Sequence, residues 1–192
     1  VTGNDTACLA LSTDKVRTKA ILSAAGLRCP RGLVVHVGDK VRSSELPRGL
    51  CIVKPIGTDA SEGIDAHSVV DSSSPKLHSL VREIHRKFHQ PAIVEEMVGQ
   101  REINVSLLQI GNEVKVLPPA EIDFSAFGPR RPRIVGYAAK WKKNSFEYSN
   151  TPRTFRLDLP AAKKKLICEA ALAAWRALGC RDYVRVDFRL TD

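Results

Sequence analysis

The chain has 192 residues, enough for one domain or two small ones, and its hydrophobic fraction of 43% and charged fraction of 27% are typical of globular proteins. No apolar run approaches the ~20 residues of a membrane span, and the N-terminus lacks a basic-then-apolar signal pattern. The five cysteines are scattered and never spaced as Cys-x-x-Cys, which argues for reduced thiols and against a disulfide framework or a zinc site. We therefore predict a cytoplasmic protein without a membrane partner.

The net charge of +9 raises the question of nucleic acid. The basic clusters are Arg130, Arg131 and Arg133; Lys140, Lys142 and Lys143; and Lys163, Lys164 and Lys165. No RNA-binding signature accompanies them, and charge alone gives only non-specific attraction to nucleic acid. A small anionic ligand such as a nucleoside triphosphate would also benefit from this field. We predict no specific nucleic-acid partner, and a basic nucleic-acid binder stays as an alternative.

The first half of the chain alternates helix and strand signals. Residues 12–25 predict a helix that Ser12 or Asp14 can cap and Gly26 ends, and residues 75–88 predict a second helix. The predicted buried faces are Val16, Ala20, Ile21 and Ala24 on the first helix and Leu77, Leu80, Val81 and Ile84 on the second. Strands are predicted at residues 32–36, 50–55 and 91–98, and Val69 is predicted to begin the return of the chain toward the second helix.

The second half of the chain predicts strands at residues 101–110, 112–124 and 182–190, with a hairpin turn at Gly111 and Asn112. Residues 125–133 are predicted as loop, and residues 160–178 as a long helix that ends at Gly179. The apolar stripe of that helix is Leu166, Ile167, Ala170, Ala171, Ala174, Trp175 and Leu178. The pattern favours an α+β fold of helices packed on mostly antiparallel sheets.

One strand delivers a lysine into a loop rich in small polar residues. The strand "LCIVKP" ends with Lys54, and Gly57, Ser61 and Gly63 follow in "IGTDASEGID". Backbone N–H groups and a hydroxyl in such a loop can surround a phosphate, although the pattern is not GxxxxGK[ST]. A plain surface turn explains the same composition. Lys15 lies at the start of the first helix, where a cation opposes the local dipole, and by itself its plain interpretation is a solvated lysine.

Carboxylates occur at two further strands. Glu95 and Glu96 are adjacent at the end of one strand, so one should point inward and one outward, and Glu102 follows. Arg185 and Asp187 share one face of the last strand, opposite the face of Val184, Val186 and Phe188. Solvated charge and a simple ion pair are the plain interpretations. A metal ligand beside an oxyanion-stabilising guanidinium is the functional one.

Other common sites are not indicated. The five histidines lack metal-ligand spacing apart from His85 and His89, which have no HExxH context, and no GxSxG motif occurs.

Taken in order, the motifs resemble the ATP-grasp superfamily and, within it, the D-alanine–D-alanine ligases and their relatives. The matching stretches are "VTGNDTACLALSTDKVRTKAILSAAGLRCP", "IVKPIGTDASEGI", "IVEEMVGQREINV", "LPPAEI", "YAAKW" and "LGCRDYVRVDF". They cover almost the whole chain in the family's order. The resemblance implies an ATP-grasp fold in which two α+β subdomains hold ATP between them. It also implies ATP and Mg²⁺ as cofactors, small amino-acid substrates, a role in peptidoglycan biosynthesis, and allows a homodimer.

The resemblance assigns roles to individual residues. It implies phosphate contacts for Lys15, Lys54 and Lys140, and it implies that Ser61 provides the hydroxyl of a loop that closes over the phosphates. The residues implied to line the adenine edge are Glu95, Glu96, Met97 and Val98, and Glu102 is implied to bind the ribose hydroxyls. Asp187 is the implied magnesium ligand, and the implied catalytic residues are Arg185, Lys54 and Ser61. A substrate carboxylate would attack the γ-phosphate, and an amine would then attack the resulting acyl phosphate.

The resemblance also predicts domain limits. Residues 1–13 would be the end of a missing N-terminal domain, 14–98 the lid subdomain and 99–192 a truncated C-terminal subdomain. The family's next metal-binding Glu-x-Asn pair would lie beyond Asp192, so we expect the chain alone to bind ATP weakly and not to ligate unaided. Ala60 replaces the first serine of the typical loop, which keeps open a ligase for other amino acids or peptides. A non-catalytic ATP-binding module is the third alternative.

Overall fold

The computed structural model describes residues 2–191 and contains six α-helices and nine strands within that range. The helices are α1 Thr6–Thr13, α2 Lys15–Ala24, α3 Lys76–Phe88, α4 Tyr137–Trp141, α5 Phe146–Ser149 and α6 Ala161–Ala177. The strands are β1 Gly32–Val35, β2 Leu50–Pro55, β3 Val69–Asp71, β4 Ala92–Glu96, β5 Arg101–Ile110, β6 Glu113–Val116, β7 Ala120–Ile122, β8 Arg153–Thr154 and β9 Tyr183–Leu190. None of the helices in residues 2–191 is long and apolar enough to cross a membrane.

Two compact units divide the chain. Unit 1 comprises Val1–Cys29, Gly99–Phe124 and Pro152–Asp192, of which Val1 and Asp192 lie outside the described residues. Unit 2 comprises Pro30–Val98 and Ser125–Thr151.

Unit 2 is built on a four-stranded antiparallel sheet in the order β1-β4-β2-β3, with α3 packed on one face. Alternation along β2 turns Cys51 and Val53 toward the helix, and Lys54 to the other face of the sheet. The buried cluster between sheet and helix is Val35, Cys51, Val53, Leu77, Val81, Ile84, Ala92 and Val94. The predicted face of α3 is confirmed, because three of its four residues belong to this cluster and Leu80 packs against it.

Unit 1 is built on a five-stranded antiparallel sheet with β5 at its centre. Strand β9 pairs along one edge of β5, β6 and β7 pair along the other, and β8 pairs with β7. The predicted buried face of β5 is confirmed, since Ile103, Val105 and Leu107 are buried in one cluster with residues of α6. The polar residues of β5 and β9 therefore lie on the opposite face of the sheet.

The α+β prediction is confirmed, but several elements differ in detail. The predicted helix at 12–25 is two helices, because Asp14 adopts extended backbone and its carboxylate accepts the N–H bonds of Val16 and Arg17 at the start of α2. None of the residues of α2 is buried, so the predicted buried face was wrong. The strand predicted at 112–124 is broken into β6 and β7 around Pro118 and Pro119, which have no N–H for a strand ladder.

The apolar stripe predicted for α6 was wrong at Leu166, which is 65% exposed. Ile167, Ala171, Ala174 and Trp175 are buried as predicted. The short elements α1, α4, α5 and β8 were not predicted, because none is long enough to show a hydrophobic period.

The compact units group three segments differently from the predicted domains. Residues 2–13, predicted as the end of a separate domain, and residues 14–29 both group with unit 1, where α2 packs against α1 and α6. Residues 125–151 group with unit 2, where backbone and side-chain hydrogen bonds join residues 135–141 to residues 60–64. The predicted limits at residues 13 and 98 stay predictions about subdomains.

Candidate functional site

Lys54 and Glu95 form an ion pair on the face of the unit 2 sheet opposite α3. The Nζ of Lys54 lies 2.5 Å from Oε2 of Glu95, and their side chains are 20% and 3% exposed. Glu95 is the register partner of Ile52 on β2, so Lys54 reaches it diagonally, two residues along the strand. A carboxylate this deeply buried needs such a partner, since burying an unpaired charge costs several kcal/mol.

Gly32 makes room for this carboxylate. It is the β1 partner of Glu95, and a Cβ at this position would come 2.9 Å from Cγ of Glu95 and 2.6 Å from the carbonyl oxygen of Val94. Both approaches are closer than real Cβ atoms make, so only glycine fits without a shift of the strand.

Glu96 lies on the other face of β4, as predicted for adjacent carboxylates. Its register partner is the buried Cys51, and its Oε1 accepts the backbone N–H of Arg31 at 2.8 Å. Burial raises the pKa of the Cys51 thiol, and the carboxylates of Asp71 and Glu96 add to this rise. Met97 follows as the chain leaves the strand, with its N–H bonded to the carbonyl of Leu50.

The loop after Lys54 is closely bonded to the segment that begins α4. Ser61 donates its hydroxyl to the carbonyl of Val135 at 2.7 Å, and the backbone N–H of Tyr137 bonds to the carbonyl of Ile64 at 2.8 Å. The indole N–H of Trp141 donates to the carbonyl of Ala60 at 3.0 Å. These bonds attach the loop hydroxyl and α4, which carries Lys140, to each other within unit 2.

Two adjacent loop residues adopt left-handed backbone. The φ angles of Ala60 and Ser61 are 52° and 62°, in a region that non-glycine residues rarely occupy. Such conformations persist only where surrounding contacts hold them, and the bonds to Val135 and Trp141 are those contacts here.

Asp187 is held by three donors in unit 1. Arg185 donates from Nε to Oδ1 at 2.7 Å and from Nη2 to Oδ2 at 2.9 Å. Asn104, the cross-strand partner of Asp187 on β5, donates from Nδ2 to Oδ1 at 2.8 Å. Hydrogen bonding to Asp187 raises the pKa of the Arg185 guanidinium. The predicted shared face of Arg185 and Asp187 is thus a bidentate ion pair.

Glu102 pairs with Arg189 on the same face of the unit 1 sheet. The two residues are register partners, and Nη1 of Arg189 lies 3.4 Å from Oε2 of Glu102. Arg189 also donates to the carbonyl of Gly99 at 2.9 Å. Burial lowers the pKa of Arg189, and the charge of Glu102 partly opposes that change.

Lys15 is the first residue of α2, directly after the capping residue Asp14. Unit 1 therefore carries Lys15, Glu102, Arg185 and Asp187, and unit 2 carries Lys54, Ser61, Glu95 to Val98 and Lys140. The roles assigned to these residues stay predictions.

The donor set suits one mode of magnesium binding. Within the described part of the chain, no group of three or more His, Cys, Asp and Glu side chains could hold a metal by itself. Mg²⁺ is commonly bound by one or two carboxylates together with water and substrate phosphates. Asp187 fits that mode, because it presents one partly exposed carboxylate on the polar face of the sheet, and the basic side chains beside it suit substrate phosphates.

Sequence reasoning missed Asn104 and Arg153. Asn104 was hidden in an alternating strand, and Arg153 lies in a two-residue strand without a recognisable pattern. The available signal in the sequence was alternation, which places Asn104 on the outward face of β5 between Glu102 and Ser106. The structure shows that Asn104 is nevertheless buried.

Curated proteins similar to this chain include a D-alanine–D-alanine ligase and an uncharacterized protein. A D-alanine–D-alanine ligase of Anaeromyxobacter sp. (strain Fw109-5) is 31% identical over 190 residues, covering 97% of this chain and 55% of the relative. The uncharacterized protein y4sG of Sinorhizobium fredii (strain NBRC 101917 / NGR234) is 32% identical over 181 residues, covering 94% of this chain and 49% of the relative. The chain thus spans about half the length of the curated relatives it matches.

Solved structures share the fold. The crystal structure of a D-alanine–D-alanine ligase from Bacillus anthracis complexed with ATP has a TM-score of 0.73 at 22% identity, covering 100% of this chain and 55% of that one. The VanG D-Ala:D-Ser ligase from Enterococcus faecalis has a TM-score of 0.70 at 25% identity, covering 100% and 52%. The family model described as D-ala D-ala ligase C-terminus matches residues 38–192. The chain therefore belongs to the D-ala D-ala ligase C-terminus family, as the motif order predicted.

Proposed function

We propose that the chain is the ATP-binding core of an ATP-dependent carboxylate–amine ligase of the D-alanine–D-alanine ligase type. The observation that carries the proposal is the buried ion pair of Lys54 and Glu95. It lies outside the hydrophobic core cluster, on the face of the sheet opposite α3. Buried ion pairs contribute little net stability, so a pair kept on this face of the sheet is a candidate functional group.

In this proposal, the residues that the motifs assign to the nucleotide bind it. The lysines Lys15, Lys54 and Lys140 would neutralise phosphate charge. Glu95 would orient the base, and Glu102 would orient the sugar. The backbone of Met97 and Val98 follows Glu95 and Glu96 along the adenine edge. Asp187 would hold the Mg²⁺ ion, which supplies additional charge neutralisation at the phosphates.

The chain's own groups act by positioning and charge. Arg185 would stabilise the negative charge that develops on the substrate carboxyl group, because its guanidinium is already oriented by Asp187. The loop that carries Ser61 would cover the terminal phosphate and exclude water from the acyl phosphate. The proposed setting is peptidoglycan biosynthesis in the cytoplasm.

Nucleotide binding is the direct test for this chain. Isothermal titration with ATP and Mg²⁺ should give saturable binding to the wild-type chain, and Lys54→Met should weaken it at least tenfold. Lys163→Met removes an exposed lysine from α6 and is the matched control for net charge. Equal weakening in both variants, or no saturable binding at all, would reject the proposal.

A ligase with another second substrate is favoured by Ala60. The loop residue at this position contributes its carbonyl to Trp141, and its side chain has no hydroxyl. The similarity to a D-Ala:D-Ser ligase also supports a wider choice. ADP release measured with D-alanine, D-serine and a panel of other amino acids separates these candidates.

A further inference from the structure

The amide of Asn104 lies between a cation and an anion. Asn104 is 5% exposed and lies on the face of β5 that is turned away from the core. Its Nδ2 donates to Oδ1 of Asp187 at 2.8 Å, and its Oδ1 accepts a longer bond of 3.5 Å from Nε of Arg153. The three residues come from β5, β9 and β8 and form a row across the unit 1 sheet.

The flanking charges specify the orientation of this amide. Its N–H₂ group faces the carboxylate and its carbonyl faces the guanidinium, whereas a flipped amide would oppose a carbonyl to a carboxylate. The β7 partner of Asn104 is Ala120, and the Arg153 side chain reaches the amide from β8, beyond β7. An amide is a neutral side chain that donates through its nitrogen and accepts through its oxygen.

The bond from Asn104 completes the set of donors on Asp187. Arg185 engages both carboxylate oxygens from the same strand, and Asn104 adds a bond from the neighbouring strand. The bidentate contact of Arg185 sets the plane of the carboxylate, and the bond from Asn104 adds a fixed point on Oδ1 from the neighbouring strand.

We propose that Asn104 is a positioning residue that orients the Asp187 carboxylate for a divalent cation, with Arg153 holding the amide in place. This inference rests on the proposed function, in which Asp187 is the metal ligand. Groups that orient a metal ligand through a hydrogen bond typically contribute 10–100-fold to metal affinity.

The test measures Mn²⁺ affinity in the presence of saturating ADP, by the electron paramagnetic resonance signal of free Mn²⁺. Asn104→Leu keeps the side-chain shape and removes the donor, and it should weaken Mn²⁺ binding about tenfold. Arg153→Met should weaken Mn²⁺ binding less than Asn104→Leu does, and Asp187→Asn should weaken it more. Ser106→Ala, on the same face of β5, is the matched control. Binding of ADP in the presence of EDTA should stay within twofold of wild type in Asn104→Leu.

The outcomes separate the inference from the proposed function. If Asp187→Asn loses Mn²⁺ and Asn104→Leu binds it like wild type, Asn104 is merely structural and only the inference is overturned. If wild type binds no Mn²⁺, or Asp187→Asn binds it equally well, both are overturned. Should Asn104→Leu fail to fold, Arg153→Met decides, and an unchanged Mn²⁺ affinity in that variant counts against the inference.

Discussion

The ammonium group of Lys54 and the carboxylate of Glu95 lie 2.5 Å apart on neighbouring strands of the unit 2 sheet. The two residues were assigned to different parts of the nucleotide from the motifs alone. Their direct contact means that neither charge is independent of the other, so a change at one residue alters the environment of both.

We expect Lys54→Met to destabilise the chain by about 3 kcal/mol, because it removes the Lys54 ammonium group from the buried Glu95 carboxylate. Urea unfolding measures the effect. The double variant Lys54→Met, Glu95→Leu should recover much of the loss, since both charges are then absent. A double variant whose destabilisation equals the sum of the two single changes would show that the pair is not coupled.

Gly32→Ala should destabilise the chain by about 1–3 kcal/mol, because the added methyl group collides with the Val94 carbonyl and the Glu95 side chain. Gly128→Ala is the matched control, since a Cβ there meets nothing within 4 Å and its φ is not in the left-handed region. Thermal unfolding of both variants checks the difference. Equal melting temperatures for the two variants would contradict the close approach at Gly32.

Trp141→Phe should loosen the loop at residues 57–65, because it removes the indole donor to the Ala60 carbonyl and keeps an aromatic ring. Loss of about 1 kcal/mol at this contact corresponds to roughly fivefold faster amide exchange in the loop. Hydrogen exchange with mass spectrometry resolves this segment. Tyr148→Phe, another exposed aromatic residue in unit 2, should leave the loop unchanged.

The raised pKa of Cys180 predicts that the free energy of unfolding falls at alkaline pH. Its Sγ lies 3.6 Å from that of Cys8, and burial together with the Cys8 contact raises the pKa of Cys180 from 9.0 to about 12. Between these pH values the unfolded thiol ionises and the folded thiol stays protonated. The unfolded state therefore binds fewer protons, and stability present below pH 9 falls as pH rises toward 12, by at most about 1.4 kcal/mol per pH unit.

Urea unfolding at pH 8, 9 and 10 measures this slope. Cys180→Val should fall less steeply than wild type, and Cys29→Ala, which changes a half-buried thiol elsewhere in unit 1, should match wild type. Parallel slopes for wild type and Cys180→Val would contradict the assignment of the proton to Cys180.

Residue patterns were enough to predict the strands whose side chains alternate and the helices with a clear apolar period. Strand β5 and helix α3 are examples, because burial of one face leaves a strong pattern in the residues. The order of the motifs also identified the family, because motifs in the same order can be recognised even where overall sequence identity is low. Adjacent Glu95 and Glu96 were correctly expected on opposite faces, because that follows from the geometry of any strand.

Which of these side chains contact each other depends on the three-dimensional arrangement of whole elements. The pairing of Lys54 with Glu95 depends on the register of β2 against β4, and the bond from Asn104 to Asp187 depends on the register of β5 against β9. The contact of Trp141 with Ala60 likewise joins segments far apart in the chain. Register and long-range contacts result from packing of whole elements, and local residue patterns carry no direct record of them.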